Sequence, residues 1–380
     1  MSEPFSRRRF IGTSFGLSIA GLAAGGMGLP LAGASGNIRA QGLPSVPAGM
    51  GDPDAVLLNF NEHPLGPFPE AIQAAIEATP RAGRYLFQAQ RDLARLFASQ
   101  HALETDQIGL LAGSGVGLDQ AALAFTSPTA SLVMANPTFE SVAQVAEQHG
   151  ARVHRITLRT DGAHDVQAMA AADPDAGLVY LCNPNNPTGS ITPRAEIDWL
   201  LANKPAGSVL LIDEAYIHYS DEPDTLDLVR AGADVIVLRT FSKIYGMAGM
   251  RLGFAIARPD LITRLMSFGG NSLPVPTVAA GAASLQQPGS VTERKQQNRR
   301  LLDETLAWLA ERGFHCLPSQ ANCFMVDTGR PGREFVQAMA EHKVFVGRSW
   351  PIWPRHVRVT VGTEQEMQRF REAFEKVMKA

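Results

Sequence analysis

The sequence predicts an α/β protein: a large domain with a mainly parallel sheet between helices, then a smaller α+β C-terminal domain. Three observations predict it. The chain has 380 residues, enough for two domains of about 150 residues or more. From about residue 105 it repeats a short apolar run, a polar or glycine-rich turn and often a helical stretch. Such runs suit strands buried on both faces of a parallel sheet. After about residue 285 strands and helices alternate on a smaller scale, as in an α+β unit.

Composition bounds the function. Apolar residues make up 45% and charged residues 19%, which excludes a disordered chain, a coiled coil or a collagen-like repeat. With 34 basic and 37 acidic side chains the net charge is −3. There is no basic excess to suit nucleic acid. Cys182, Cys316 and Cys323 do not make a disulfide scaffold, lack metal-ligand spacing, and are expected to be unpaired structural thiols.

The first residues read as an address. Ser6-Arg7-Arg8-Arg9-Phe10-Ile11 precedes an uncharged, glycine-rich stretch, and Ala32 and Ala34 form an A-x-A-like cleavage site. The pattern resembles a twin-arginine signal. Export through such a signal, to the periplasm, is the expected localisation, with no membrane attachment after signal removal. Residues 1–34 carry three arginines and Glu3, so the mature chain would carry −5. A second cut after Ala40 is an alternative. The expected division is a signal over 1–34, an arm and connecting helices over 35–100, the large domain over 101–285 and the small one over 286–380. Residues 41–70, rich in proline and glycine, read as an extended arm.

The expected strands are Ile108–Ala112, Leu132–Ala135, Val153–Leu158, Leu178–Cys182, Val209–Ile212, Val235–Leu238 and Leu252–Ala257. Ligands of open α/β sheets sit beyond the carboxyl ends of the strands, where this chain puts its polar singletons. Gly113-Ser114-Gly115, Pro137-Thr138-Phe139, Asn183 to Gly189, Asp213-Glu214-Ala215-Tyr216 and Thr240-Phe241-Ser242-Lys243 each follow a run. Val291–Arg312 reads as a long amphipathic helix whose Arg294, Lys295, Arg299 and Arg300 form a solvated charged face. Cys323–Asp327, Val344–Val346 and Val357–Val361 read as strands, Glu334–His342 and the stretch from Glu364 as helices.

Lys243 follows a buried strand, where an amine can form a Schiff base with a carbonyl. Asp213 ends a buried strand, so its carboxylate needs a cationic partner; the alternatives are a structural ion pair or the ring nitrogen of pyridoxal phosphate (PLP). Thr240, Ser242 and Arg251 offer donors suited to a phosphate, and the amides of Gly113 to Gly117, opening a helix at Leu118–Phe125, suit an anion. As a dinucleotide fingerprint the same loop fails, because Leu118 stands where the third glycine belongs.

Asn183-Pro184-Asn185-Asn186-Pro187-Thr188-Gly189, Asp213-Glu214-Ala215-Tyr216, and Arg239-Thr240-Phe241-Ser242-Lys243 with Gly249-Met250-Arg251-Leu252-Gly253 resemble the class I/II aminotransferases of PLP-dependent fold type I. Leu58-Asn59-Phe60-Asn61-Glu62, Pro64-Leu65-Gly66-Pro67 and Arg358-Val359-Thr360-Val361-Gly362-Thr363 look most like the histidinol-phosphate aminotransferase branch. The resemblance covers roughly residues 55–375. It implies that Lys243 carries PLP as a Schiff base and shuttles a proton, that Asp213 keeps the ring nitrogen protonated, and that Asn186 and Tyr216 face the ring oxygen. It implies a stacking role for Phe139, although a plain core aromatic is the alternative. Phosphate contacts are implied for the Gly115 and Val116 amides, Thr240, Ser242 and Arg251, and for Tyr85 across a homodimer. Substrate contacts are implied for Arg358, Arg348, Asn322 and Asn61.

The implied reaction is ping-pong transamination between an amino donor, an amino acid or a histidinol-phosphate-like amine, and a 2-oxo acid. The same residues also suit a decarboxylase of the threonine-phosphate type, or a non-catalytic PLP-binding protein. The chain departs from the branch at Val116-Gly117-Leu118, at Tyr85-Leu86-Phe87 and over 268–276. Trp350 and Trp353 add aromatic bulk near Arg348. An altered substrate wall is therefore expected around an intact cofactor site.

Overall fold

The computed structural model describes residues 48–269 and 272–379; the signal sequence expected over 1–34 lies outside them. In chain order the elements are β1 (Val56–Leu58), α1 (Pro69–Ala78), α2 (Phe87–Gln100), β2 (Ile108–Leu111), α3 (Ser114–Phe125), β3 (Ser131–Asn136), α4 (Ser141–Gln148) and β4 (Val153–Thr157). There follow α5 (Val166–Ala171), β5 (Ala176–Cys182), α6 (Arg194–Asn203), β6 (Val209–Asp213), α7 (Leu226–Arg230), β7 (Val235–Thr240), β8 (Gly253–Ala257), α8 (Pro259–Met266) and α9 (Val275–Leu285). The chain ends with α10 (Pro288–Glu311), β9 (Cys323–Asp327), α11 (Gly332–Glu341), β10 (Val344–Val346), β11 (His356–Thr360) and α12 (Glu364–Lys379).

Seven strands form the main sheet in the order β2-β8-β7-β6-β5-β3-β4. β8 runs antiparallel to both its neighbours. The other pairs are parallel, so six strands end on the same edge. The inner strands read as continuous apolar runs because helices cover both faces, whereas edge strand β4 carries His154 and Arg155 and is only partly buried. In β6, Leu210 and Ile212 face one hydrophobic core, while Val209 and Leu211 face the other, as the two-residue period of a strand requires.

The chain order reverses between β3 and β5, since β4 lies outside β3 and β6 beyond β5. A crevice at such a reversal is where open α/β sheets bind ligands. Here the loops on its two sides are tied together. Thr138 Oγ1 donates to Asn185 Oδ1 at 2.7 Å, and Asn185 Nδ2 donates to the Pro137 carbonyl at 3.2 Å.

A third core lies between α10, α11 and α12 and two small sheets, around Leu302, Phe324, Phe335, Val357 and Phe370. β9 pairs with β11 antiparallel. β1 pairs with β10 in parallel, and Val56 and Leu58 belong to the same core. The segment expected as an extended arm thus includes a buried strand. Its three residues are too few for a readable period, and only the pairing with distant β10 gives them a partner.

The charged face expected on α10 divides in two. Arg299 and Arg300 pair with Asp303 and Glu304 one turn on, as a solvated face does. Arg294 is only 7% exposed. Its guanidinium donates to the carbonyls of Ile244 and Gly66, at 2.8 Å each, and lies over the Phe68 ring. It fastens α10 to the loop after Lys243. Lys295 is likewise engaged, with the Ser220 carbonyl and Asp221.

Candidate active site

Five strand ends meet around a cavity of about 430 Å³. Asp213 is the last residue of β6, buried and directed to it by a strand that is apolar throughout. Its Oδ1 accepts the Ala215 N–H at 3.1 Å and its Oδ2 accepts the Tyr180 hydroxyl at 3.2 Å. Burial pushes the Asp213 carboxyl up to about 6, against the pull of those two donors and of the Lys243 charge. Among the described residues it forms no ion pair. Glu214 beside it does pair, with Arg239 at 2.6 Å in the sheet interior.

Lys243 stands beyond the neighbouring strand end, three residues after β7. Its Nζ donates to the Phe60 carbonyl at 3.1 Å and lies 5.5 Å from the centre of the Tyr216 ring. Burial lowers its amine to about 8, and the Arg358 charge acts the same way. A lysine so placed is a neutral nucleophile and base over a useful pH range. Burial holds the Tyr216 phenol well above its ordinary value, so it remains a hydroxyl. Asn186 and Phe139 complete the described wall on this side.

The other end of the cavity suits an anion. Gly113 has φ 91 and ends the turn into α3, so that Ser114 and Gly115 line the cavity at a helix start. Such positions leave N–H groups without helical acceptors. The Val116 N–H is already given to the Gly113 carbonyl at 3.2 Å, while Ser114 and Gly115, both within the loop the sequence marks, line the cavity. Thr240 Oγ1 donates to Ser242 Oγ at 3.0 Å. Arg251, with φ 58, donates from Nη1 to the Ala248 carbonyl at 2.9 Å and to Ser242 Oγ at 3.4 Å. A buried carboxylate lacking a cation, an amine and an anion cradle thus share one cavity. This donor set fits pyridoxal phosphate: ring nitrogen, aldehyde carbon and phosphate each find their complement.

Arg358, on β11, lines the same cavity. It donates to Asn186 Oδ1 at 2.7 Å and to the Asn59 carbonyl, and its Nε has no hydrogen-bond partner among the described residues. The remaining expected substrate contacts are not on the cavity wall. Asn61 is fully buried with φ 53, and its neighbours Phe60 and Glu62 line the cavity instead. Asn322 lies behind it, donating to the Asn61 carbonyl at 3.1 Å. Arg348 pairs with Glu140 and covers the Trp350 ring at 4.6 Å. Tyr85 is 69% exposed, in a separate groove with Ser272 and Pro274. Sequence reading missed Phe60, Glu62, Leu118 and Cys182 as wall residues. Only the proximity of Phe60 and Glu62 to Asn61 could have marked them.

Residues 53–374 match the family described as aminotransferase class I and II. The histidinol-phosphate aminotransferase of Moorella thermoacetica is 35% identical over 342 residues, 87% of each chain. The aromatic amino acid aminotransferase of Nocardia farcinica is 35% identical over 86% of this chain and 94% of that one. The structure of the histidinol-phosphate aminotransferase of Sinorhizobium meliloti, solved with pyridoxal-5'-phosphate, superposes with a TM-score of 0.80 at 24% identity. That likeness covers 86% of this chain and 91% of that one and shows the shared fold type I architecture. The chain belongs to the class I and II aminotransferases and is a PLP-dependent transaminase.

Proposed function

We propose that the cavity between Asp213, Lys243 and Arg251 is the transamination site, and that its amino donors carry aromatic side chains. One observation carries the site: Asn186, Asp213 with Tyr216, Lys243 with Arg251, and Arg358, from four separate segments of the chain, line one cavity. The cofactor, when bound, supplies an electrophilic carbon and a ring that accepts electron density. Asp213 holds a proton at the ring nitrogen, and the ring's positive charge answers the cost of burying the carboxylate. Lys243 binds the cofactor and, once free, carries a proton at Nζ to and from the substrate α-carbon. Tyr216 and Asn186 face the ring oxygen. Ser114, Gly115, Thr240, Ser242 and Arg251 hold the phosphate. Arg358 takes the substrate carboxylate through its planar fork.

The aromatic preference has two supports. Phe60 and Phe139 present large, partly exposed rings at the cavity. Arg348, the other cation on the substrate side, is engaged by Glu140 away from the wall. A phosphorylated side chain would have to break that pair. The test is a panel of donors given singly to the PLP-loaded protein. Phenylalanine and tyrosine should convert the cofactor faster than histidinol phosphate; the reverse order would contradict this reading.

The homodimer is part of the proposal. Ile72, Ile76, Tyr85 and Phe87 are exposed on neighbouring segments, with Tyr85 and Phe87 stacked at 5.4 Å. A single chain seldom leaves such an apolar surface uncovered. Light scattering on the eluted protein should give twice the chain mass, and a PLP-binding monomer would count against it. Export through the twin-arginine signal is proposed from Arg7, Arg8 and the segment after them. Among the described residues no helix is long and apolar enough to cross a membrane. Replacing Arg7 and Arg8 with lysine should retain the protein in the cytoplasm, and unchanged export would refute the assignment.

A further inference from the structure

Asn61 sits behind the cavity wall, and its hydrogen bonds give it a different task from touching substrate. Thr360 Oγ1 donates to Asn61 Oδ1 at 3.0 Å and accepts the Asn61 backbone N–H at 3.0 Å. Those two bonds fix which way the amide points: oxygen toward β11, nitrogen toward Tyr216. Asn61 Nδ2 then reaches Tyr216 Oη at 3.1 Å and Cys323 Sγ at 3.1 Å. An amide nitrogen has two hydrogens to give and accepts none. Tyr216 Oη must therefore be the acceptor on this side, and its own proton has to go elsewhere.

Among the described residues no acceptor takes that proton, and Tyr216 lines the cavity. We propose that Asn61 is a positioning residue that aims the Tyr216 hydroxyl proton into the cavity, making Tyr216 an obligatory donor to the cofactor. The inference rests on PLP being seated against Tyr216. The surroundings are built to keep the amide still. Asn61 is fully buried, its carbonyl is held by Asn322 Nδ2 at 3.1 Å, and its left-handed backbone is one that asparagine tolerates better than most residues.

The consequence has a sign. A donor at the ring's phenolic oxygen favours the form in which that oxygen carries the fuller negative charge. It therefore lowers the pH at which the bound cofactor changes its absorbance. Asn61→Asp preserves shape and backbone tolerance but replaces the donor with an acceptor, toward which the Tyr216 proton turns. The cofactor then loses its donor as it does in Tyr216→Phe.

The experiment is a pH titration of the visible absorbance of the PLP-loaded protein. Asn61→Asp should raise the midpoint by about one pH unit. Asn61→Gly, uncharged and equally at ease with positive φ, should raise it by less, and it carries the test should the aspartate variant not fold. Tyr216→Phe alone should raise it as well. Asn61→Gly, which adds no charge, should change nothing further when added to Tyr216→Phe. An unmoved midpoint in the Asn61 variants, or an Asn61→Gly shift that persists without the Tyr216 hydroxyl, overturns the proposal. Failure of the site reading looks different: borohydride reduction of the loaded wild type would then leave Lys243 unlabelled.

Discussion

Arg358 Nη1 donates to Asn186 Oδ1 at 2.7 Å, which joins β11 to the loop after β5. The bond leaves Asn186 its two amide hydrogens, donors suited to the cofactor's ring oxygen. It also holds the guanidinium on the cavity wall. One contact therefore connects the group proposed to bind substrate carboxylate with one proposed to face the cofactor.

Arg358→Lys should show that connection. Lysine keeps the charge but loses the planar fork and the reach to both Asn186 and the Asn59 carbonyl. The KM for amino donor and 2-oxo acid should rise by about tenfold to a hundredfold, and the absorbance of the bound cofactor should also change. A rise in KM with an unaltered spectrum would show that the contact with Asn186 has no bearing on the cofactor.

Gly113 leaves the space that Arg251 occupies. A Cβ at Gly113 would lie 2.8 Å from Arg251 Cζ, at a backbone φ of 91 that side chains rarely adopt. Gly113→Ala should displace Arg251 from the anion cradle and weaken PLP affinity by about tenfold or more. Equilibrium dialysis of the cofactor checks it. Unchanged affinity would mean that Arg251 does not hold the phosphate.

Asp213 should cost the cofactor-free protein stability. Its folded value of about 6 lies above the ordinary 3.8, so burial favours the protonated form. The resulting penalty on the folded state is absent below 3.8, grows between the two values and is complete above about 6. A gap of that size corresponds to about 3 kcal/mol. Asp213→Asn should therefore melt higher than the wild type at pH 8 without PLP, with the advantage shrinking as pH falls from 6 toward 4. The same variant should lose most of its turnover. Equal melting temperatures at pH 8 would show that the carboxylate is better satisfied than its surroundings indicate.

Lys243 should take up PLP with a pH dependence set by its burial. The neutral amine attacks, and its value is lowered to about 8. The rate of uptake by the cofactor-free protein should rise with pH and level off near 8, well below the 10.5 of an ordinary lysine. Stopped-flow absorbance would reveal a plateau near 8; a rate still climbing at pH 10 would rule out the lowered amine.

Much of this was legible in the sequence because burial on both faces of a parallel sheet forces continuous apolar runs. Cys323–Asp327 and Val344–Val346 match β9 and β10 to the residue, and the other expected strands match within a few residues. The polar singletons at the strand ends do converge on one cavity. Direction was not legible: β8 is as apolar as its neighbours yet runs against them, since hydropathy carries no sense of strand polarity. Nor could β1 be read, for it is defined by pairing with a strand almost 300 positions away. Arg294 looked like part of a solvated face because a periodic charge run gives no sign of the carbonyls and the ring that await one member of it. Asn61 is marked by its motif, but the task proposed for it depends on Thr360, which only the fold brings to it.

Transamination at Lys243 is decided by a half-reaction. PLP-loaded protein is mixed with an excess of phenylalanine, without any 2-oxo acid, and the visible absorbance and products are followed. The absorbance should be lost, with one equivalent of phenylpyruvate per site and no carbon dioxide, and should recover when a 2-oxo acid is added. Lys243→Ala should not recover through repeated cycles. Carbon dioxide release in place of the 2-oxo acid, or undiminished cycling without Lys243, would contradict it.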